Sequence, residues 1–344
     1  MNIACCSESS NRILEKYYLI NIMKQFFHIT LVSLLIFGTL FSSCNRKKDP
    51  NARNDTFSSG EVSFGADESF APIIEEEMEV FHSIYVQAKV HPKYMSESEG
   101  MNLLLSNKLY MMFTSRNFKE SERANLIARE RLPITVNVGY DGLAFITNRA
   151  NTDSCMSVKD VKRILVGEAL TWGDINPKSK SRGDIIVCFD NKTSSAVHYV
   201  EDSILGGKPI TSPNVFATNK TADVIDYVEK TPGAIGIIGS NWLNDKRDTT
   251  NLTWKRNIRV MAISKSDNAT PDNSYKPYQG YLYNDNYPFI RTIYALLNDE
   301  RGRYGLPWGF AQFVAAPKGQ MILFKAGLLP YYGNISIREV QVSD

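Results

Sequence analysis

A chain of 344 residues, 43% hydrophobic and 22% charged, has the make-up of a soluble globular protein long enough for two lobes with separate cores. That composition excludes a disordered chain and a polytopic membrane protein. The formal net charge of +2, with no long Lys/Arg run to concentrate it, gives no reason to expect a nucleic-acid partner.

From Met23 the chain reads Met-Lys-Gln-Phe-Phe-His, then an apolar run from Ile29 to Phe41, then Ser42-Ser43-Cys44 and a polar stretch. One positive charge, a short apolar core and small residues before a cut are the marks of a secretory signal, and the run is too short to span a bilayer comfortably. Cys44 after the small pair resembles the lipobox of bacterial lipoproteins, with Phe41 standing where Leu is commoner. This predicts a lipid-modified, N-terminal Cys44; the alternative is an ordinary signal peptide with an incidental cysteine. Residues 1–22 precede this second start and read as an upstream extension. Removing residues 1–43 deletes Arg12, Lys16, Lys24, Glu8 and Glu15 and leaves a net charge of +1. Residues 44–60 are then an anchor and a polar tether containing Pro50. Of the body cysteines, Cys155 and Cys188 either pair or remain buried thiols.

Beyond the tether, short β-like runs alternate with helical ones. Val62 to Gly65 is strand-like, and Ala71 to His82 has helical spacing with Pro72 in its first turn. Ile84 to Val90 alternates as a strand, Gly100 to Asn107 is helical, and Leu109 to Thr114 is a buried strand. Asn117 to Arg123 is helical, Ile134 to Asn148 β-like, Val158 to Val166 helical and Ile185 to Phe189 a strand. Helices follow at Ser194 to Ile204 and Ala222 to Lys230, then strands at Gly233 to Ile238 and Ile258 to Ile263. The chain closes on helices at Pro307 to Ala315 and Lys318 to Ala326. Such alternation predicts an α/β fold with largely parallel sheets.

The common catalytic and metal signatures are absent: there is no phosphate-loop motif, HExxH, CxxC or GxSxG. His82, His91 and His198 have no metal-ligand spacing and read as surface or satisfied interior residues. What recurs is a small hydroxyl residue just before a helix: Ser69, Ser96 and Ser98, Thr114 and Ser115, then Thr193, Ser194 and Ser195. Each serves as a plain cap if alone, and several aimed at one point make an anion site.

These residues resemble the periplasmic phosphate-binding proteins of ATP-driven uptake systems, which have the two-lobed type II periplasmic binding protein fold. Gly65-Ala-Asp-Glu-Ser-Phe70 is similar to the family's first phosphate loop, Ser96 to Gly100 to the second and Met112 to Arg116 to the third. Lys192-Thr-Ser-Ser195 stands at the fourth. Asp141 to Asn148, Ala169 to Ile175, Thr231 to Gly236, Tyr287 to Arg291 and Phe313 to Pro330 match scaffold segments. The resemblance implies an α/β protein with a ligand cleft between lobe one (61–138 and 258–344) and lobe two (139–257), closed by a hinge motion. It implies phosphate or a related oxyanion as ligand, an ABC transporter permease as partner, and neither catalysis nor a cofactor nor a metal. It also implies a periplasmic monomer held to a membrane through Cys44. The implied ligand residues are Ser69, Phe70, Ser96, Glu97, Ser98, Thr114, Ser115, Arg116, Thr193, Ser194 and Ser195.

Several positions depart from the family pattern. Phe189-Asp190-Asn191 lies where an Arg is common, Arg116 where an Asp is common, and Glu68, Glu97 and Glu99 where small residues are usual. Arg116 is expected to bring the positive charge back, and Glu97, ahead of Glu68 and Asp190, to accept phosphate's proton. The added carboxylates also suit another function, that of a sensor or interaction protein keeping the scaffold without tight phosphate capture.

Overall fold

The computed structural model describes Met23 and residues 53–181, 183–243 and 257–333. The signal segment, Cys44 and most of the tether lie outside these residues. The chain divides into Met1–Arg53 and Asn54–Asp344, and every element below belongs to the second unit. Among the described residues no helix is long and apolar enough to cross a membrane.

In chain order, the first part comprises β1 (Gly60–Asp67), α1 (Ala71–Ile84), β2 (Ala88–Met95), α2 (Glu97–Leu105), β3 (Met111–Thr114), α3 (Glu120–Ala128) and the long β4 (Ile134–Asn148). The middle comprises β5 (Cys155–Ser157), α4 (Val158–Val166), α5 (Trp172–Ile175), β6 (Ile186–Phe189), α6 (Ser195–Tyr199), β7 (Val215–Ala217), α7 (Thr221–Lys230) and β8 (Ala234–Gly239). Then follow β9 (Ile258–Val260), β10 (Ala262–Ser264), β11 (Ser274–Tyr275), α8 (Gln279–Tyr283), β12 (Ile290–Leu297), α9 (Leu306–Ala315), α10 (Pro317–Lys325) and β13 (Leu329–Pro330).

The strand order is β2-β1-β3-β12-β4-β8-β6-β7, with β9 and β13 also paired to β4. β1 runs parallel to β2 and β3, and β6 parallel to β7 and β8. β12 is antiparallel to both β3 and β4, and β4 is antiparallel to β8. The sheets are therefore mixed where parallel pairing was expected, because the chain crosses between the lobes once on β4 and returns on β12.

Alternation along β4 builds the core of lobe two. Leu143 and Phe145 join one buried cluster with Val161, Ile164 and Trp172, whereas Ala144 and Ile146 join another with Val224 and Val228. Successive side chains on a strand point to opposite faces, so one strand supports both layers. Lobe one repeats the device on β3, where Met111 and Phe113 face one cluster and Met112 the other. Helix α1 buries Ile73, Ile74, Met78 and Phe81, and the Phe81 ring lies 5.1 Å from Phe310 and 5.3 Å from Phe313. Helix α4 is bounded as its sequence implies. Ser157 and Asp160 form a capping box, and Gly167 ends it with φ 83°, a left-handed conformation that favours glycine.

Three expectations change. Residues 258–289, assigned by sequence to lobe one, pack with lobe two. There β9 pairs with Ile146 to Asn148 and β10 with β5, and Met261, Ile263, Leu282, Tyr287 and Phe289 are buried in the lobe-two core. The return crossing is β12. The strand expected from Ile84 begins at Ala88, because α1 runs through Ile84 and the Tyr85 N–H still donates to the Phe81 carbonyl. The helix expected over Ser194 to Ile204 is α-helical only to Tyr199 and continues as a wider turn over Val200–Ile204. Cys155 and Cys188 are both free thiols.

Candidate functional site

β1 ends at Asp67, whose fully buried side chain turns back onto the chain that follows it. One carboxylate oxygen accepts the Ser69 N–H at 2.9 Å and the Ser195 hydroxyl at 3.0 Å, and the other accepts the Ser195 N–H at 3.0 Å. The Ser69 and Ser195 hydroxyls are themselves 3.0 Å apart. Ser69 belongs to lobe one and Ser195 to lobe two, so this one carboxylate ties the lobes together.

A buried cation arrives on the return crossing. Arg291 of β12 is 1% exposed and donates from one terminal nitrogen to Ser195 Oγ at 3.0 Å, and from the other to Asp141. Asp141, on β4, also accepts the Ser240 N–H at 2.9 Å and the Ser240 hydroxyl at 2.6 Å. The guanidinium lies 5.2 Å from the centre of the Phe70 ring, within cation–π range, and its Nε has no partner among the described residues. Removing Arg291 from water opposes its charge, but the Asp141 carboxylate beside it holds its pKa above the ordinary value.

A second buried carboxylate collects the donors of the third loop. Glu97 opens α2, and one of its oxygens accepts the Ser115 N–H at 3.1 Å, the Ser115 hydroxyl at 3.2 Å and the Thr114 hydroxyl. Its other oxygen pairs with His198 Nδ1 of lobe two at 2.8 Å, and His198 Nε2 lies 3.2 Å from the Ser98 hydroxyl. Burial alone pushes Glu97 up, but the bonds from His198 and Thr114 outweigh it and leave the group below its ordinary value. His198 is raised by its bond to Glu97 in spite of burial.

More bonds join the lobes along the rim. The Thr193 hydroxyl donates to Ser96 Oγ at 3.0 Å, and the Ser98 N–H donates to the Thr193 carbonyl at 3.3 Å. Glu68 accepts the Thr221 N–H at 3.0 Å and its hydroxyl at 2.6 Å, while Asn241 and Trp242 each donate to the Ser69 carbonyl at 2.9 Å. Beside Asp67 lies a pocket of about 180 Å³ lined by Glu68, Tyr94, Ser96, Asp190, Ser194 and Lys220, among others. Burial, then the Asp67 charge, pushes Asp190 up to about 7, and Asp67 itself is raised by burial and by Glu97. Crowded carboxylates in a dry cleft disfavour one another's ionised forms.

The structure thus brings Ser69 and Ser195 to Asp67, Thr114 and Ser115 to Glu97, and Phe70 under Arg291. Ser96, Ser98 and Thr193 sit on the bridging rim, and Ser194 caps α6 by accepting the Val197 N–H at 3.4 Å. Arg116 is placed otherwise than expected. Its guanidinium forks onto Glu122 with two bonds of 2.8 Å, so its charge is spent within its own loop and helix. Lys192 lines a different cavity, with Phe189, Glu201 and Phe216. Glu97 already accepts four bonds, which leaves it little capacity for a ligand's proton. Sequence reasoning missed Asp67, Asp141 and Arg291 as site residues and took His198 for a bystander. Among the described residues no group of three or more His, Cys, Asp or Glu side chains is placed to hold a metal ion.

A sequence model of the PBP superfamily domain matches residues 51–318. The chain belongs to that superfamily. Curated relatives include a phosphate-binding protein PstS of Borreliella burgdorferi, 24% identical over 78% of this chain and 89% of the relative. Another is a phosphate-binding protein PstS of Staphylococcus aureus, 22% identical over 63% of this chain; the match spans 65% of that relative's length. Among solved structures, a Clostridium perfringens phosphate ABC transporter substrate-binding protein with bound phosphate superposes with a TM-score of 0.65. It is 18% identical, over 79% of this chain and 99% of that one. A Vibrio cholerae ABC-type phosphate transport receptor gives 0.57 at 17% identity, over 78% of this chain and 99% of the receptor. The type II binding-protein fold read from the sequence is the fold of this superfamily member.

Proposed function

We propose that this superfamily member is an extracytoplasmic solute-binding protein that captures phosphate or a similar oxyanion between its lobes and passes it to an ABC transporter permease. One observation carries the reading. Backbone N–H and hydroxyl donors from opposite lobes, Ser69 and Ser195, converge beside the buried Arg291 on the two oxygens of one carboxylate. A set of donors that holds one oxyanion group fits another. The relatives are named as phosphate-binding and phosphate-transport proteins, which agrees with this. The protein acts as a monomer, tethered by a lipid on Cys44. Equilibrium binding of labelled phosphate with sulfate as competitor tests the reading: saturable binding at one site is expected, and none up to millimolar phosphate would overturn it. Changing Cys44 to Ser should release the protein from membranes, and unchanged partitioning would remove the anchor.

A second reading has its own observation. The donors expected for a ligand already serve Asp67 and Glu97, which suits a sensor or interaction protein that keeps the scaffold and binds phosphate weakly.

A further inference from the structure

The oxyanion reading gives the cleft its donors, and the inference drawn now rests on that reading. The N–H groups of Ser69 and Ser195 and the Ser195 hydroxyl all end on Asp67, a residue of this chain and not a ligand, and the Ser69 hydroxyl lies against Ser195 Oγ. Asp67 is fully buried, and the residues that hold it are 0–1% exposed. A buried carboxylate is stable as an anion only while donors surround it. An incoming oxyanion needs the same donors, and the N–H and O–H groups of two serines cannot serve both.

We propose that Asp67 is the protein's internal competitor for the oxyanion: its carboxylate fills the Ser69–Ser195 seat, draws the lobes together, and must swing out before a ligand can enter.

Three features of the geometry support this. Both Asp67 oxygens are bonded across the cleft, so the side chain does what a bound ligand does in a hinged binding protein, namely satisfy donors of both lobes at once. A place to move to exists: Asp67 lines the adjacent pocket of about 180 Å³, whose lining includes Lys220 and Asn219 as well as the carboxylates of Glu68, Glu99 and Asp190. The competitor is also backed from behind. Glu97 takes the Thr114 and Ser115 donors and pairs with His198 across the cleft, so the closed arrangement does not depend on a ligand at either end. The consequence is a site in which affinity is set by the difference between two anions, one of them tethered. External ligands that gain only what Asp67 loses bind weakly, because a ligand shifts a conformational equilibrium only by its differential affinity.

The test pairs Asp67→Gly with Asp67→Asn in the mature, full-length chain. Titration with inorganic phosphate by calorimetry is combined with spin-label distances between the lobes in the ligand-free protein. Asp67→Gly should bind phosphate about tenfold tighter or more, the worth of one hydrogen bond to a charged group. It should also populate an open form that the unliganded wild type lacks. Asp67→Asn keeps an acceptor for the Ser69 N–H and most of the volume; it should move both readouts in the same direction by less, and it carries the test if the glycine variant does not fold. Unchanged or weaker phosphate binding in the variants overturns the inference, and so does an unliganded variant as closed as the wild type. Failure of the transport reading looks different: a wild type that binds no phosphate while Asp67→Gly does removes that reading and leaves the internal competitor standing.

Discussion

Arg291→Met replaces a buried guanidinium with an apolar chain of similar length and leaves Asp141 without its cation. Arg291 is 1% exposed, and the charges it separates, on Asp141 and toward Asp67, are fully buried. Removing one partner of a buried ion pair costs about 3–5 kcal/mol, because the remaining charge stays out of water. Asp141 keeps its two bonds from Ser240, so the lower end applies, about 3 kcal/mol. At about 2–4 °C per kcal/mol for a domain of this class, the melting midpoint should fall by roughly 6–12 °C. Differential scanning calorimetry on wild type, Arg291→Met, Asp141→Asn and the double variant provides the measurement. The double variant should lose less than the sum of the two single losses, since each single change strands a charge that the other removes. A drop of less than about 2 °C for Arg291→Met, on the same scale, would refute the claim that this pair pins the two crossing strands.

Glu77 in α1 is buried with no partner for either oxygen among the described residues, and burial pushes it up to about 9. Its relative contribution to stability is fully present below its ordinary value of 4.5 and is lost as pH rises toward 9, so Glu77→Met should raise the melting midpoint more at neutral pH than at pH 4. The Glu97–His198 pair works within a window. Glu97 contributes above its ordinary value and loses the contribution as pH falls through its lowered pKa, whereas His198 contributes below its ordinary value and loses it as pH rises through its raised one. His198→Gln should therefore flatten the alkaline limb of the stability profile and, because the His198 bond is the first cause holding Glu97 down against burial, weaken the acid limb as well; an unchanged alkaline limb in urea melts counts against the pair. Gly309→Ala would set a Cβ 1.7 Å from the Phe57 carbonyl oxygen, and urea unfolding should show a loss of about 1–3 kcal/mol.

Local pattern made much of this fold legible. The capped α4 helix announces both its ends, and the paired motifs on β8 and α10 point to the binding-protein scaffold without any knowledge of pairing. The error at residues 258–289 has a tertiary cause: a strand-like run does not reveal which lobe its hydrogen bonds serve, and β9 finds its partner on β4 more than a hundred residues earlier. The site was legible in outline for the same reason that it was blurred in detail. Hydroxyl residues before helices mark where donors lie, yet Ser194 and Ser195 are neighbours, and one caps its own helix while the other crosses to Asp67. Arg116 looked like a free cation because nothing in a linear reading joins it to Glu122, six residues on. Arg291 looked like scaffold because the face of a crossing strand that meets the cleft depends on register with β4, where it stands opposite Asp141. Asp67 was in view within the first matched loop, and only the position of Ser195 in space shows what its carboxylate does.

A crystal structure of the protein grown with phosphate bears most directly on the central claim. Phosphate oxygens are expected on the Ser69 and Ser195 N–H groups and hydroxyls, with the Asp67 carboxylate turned out into the neighbouring pocket. Phosphate bound elsewhere, or an Asp67 side chain still seated on Ser69 and Ser195 at full phosphate occupancy, would contradict it.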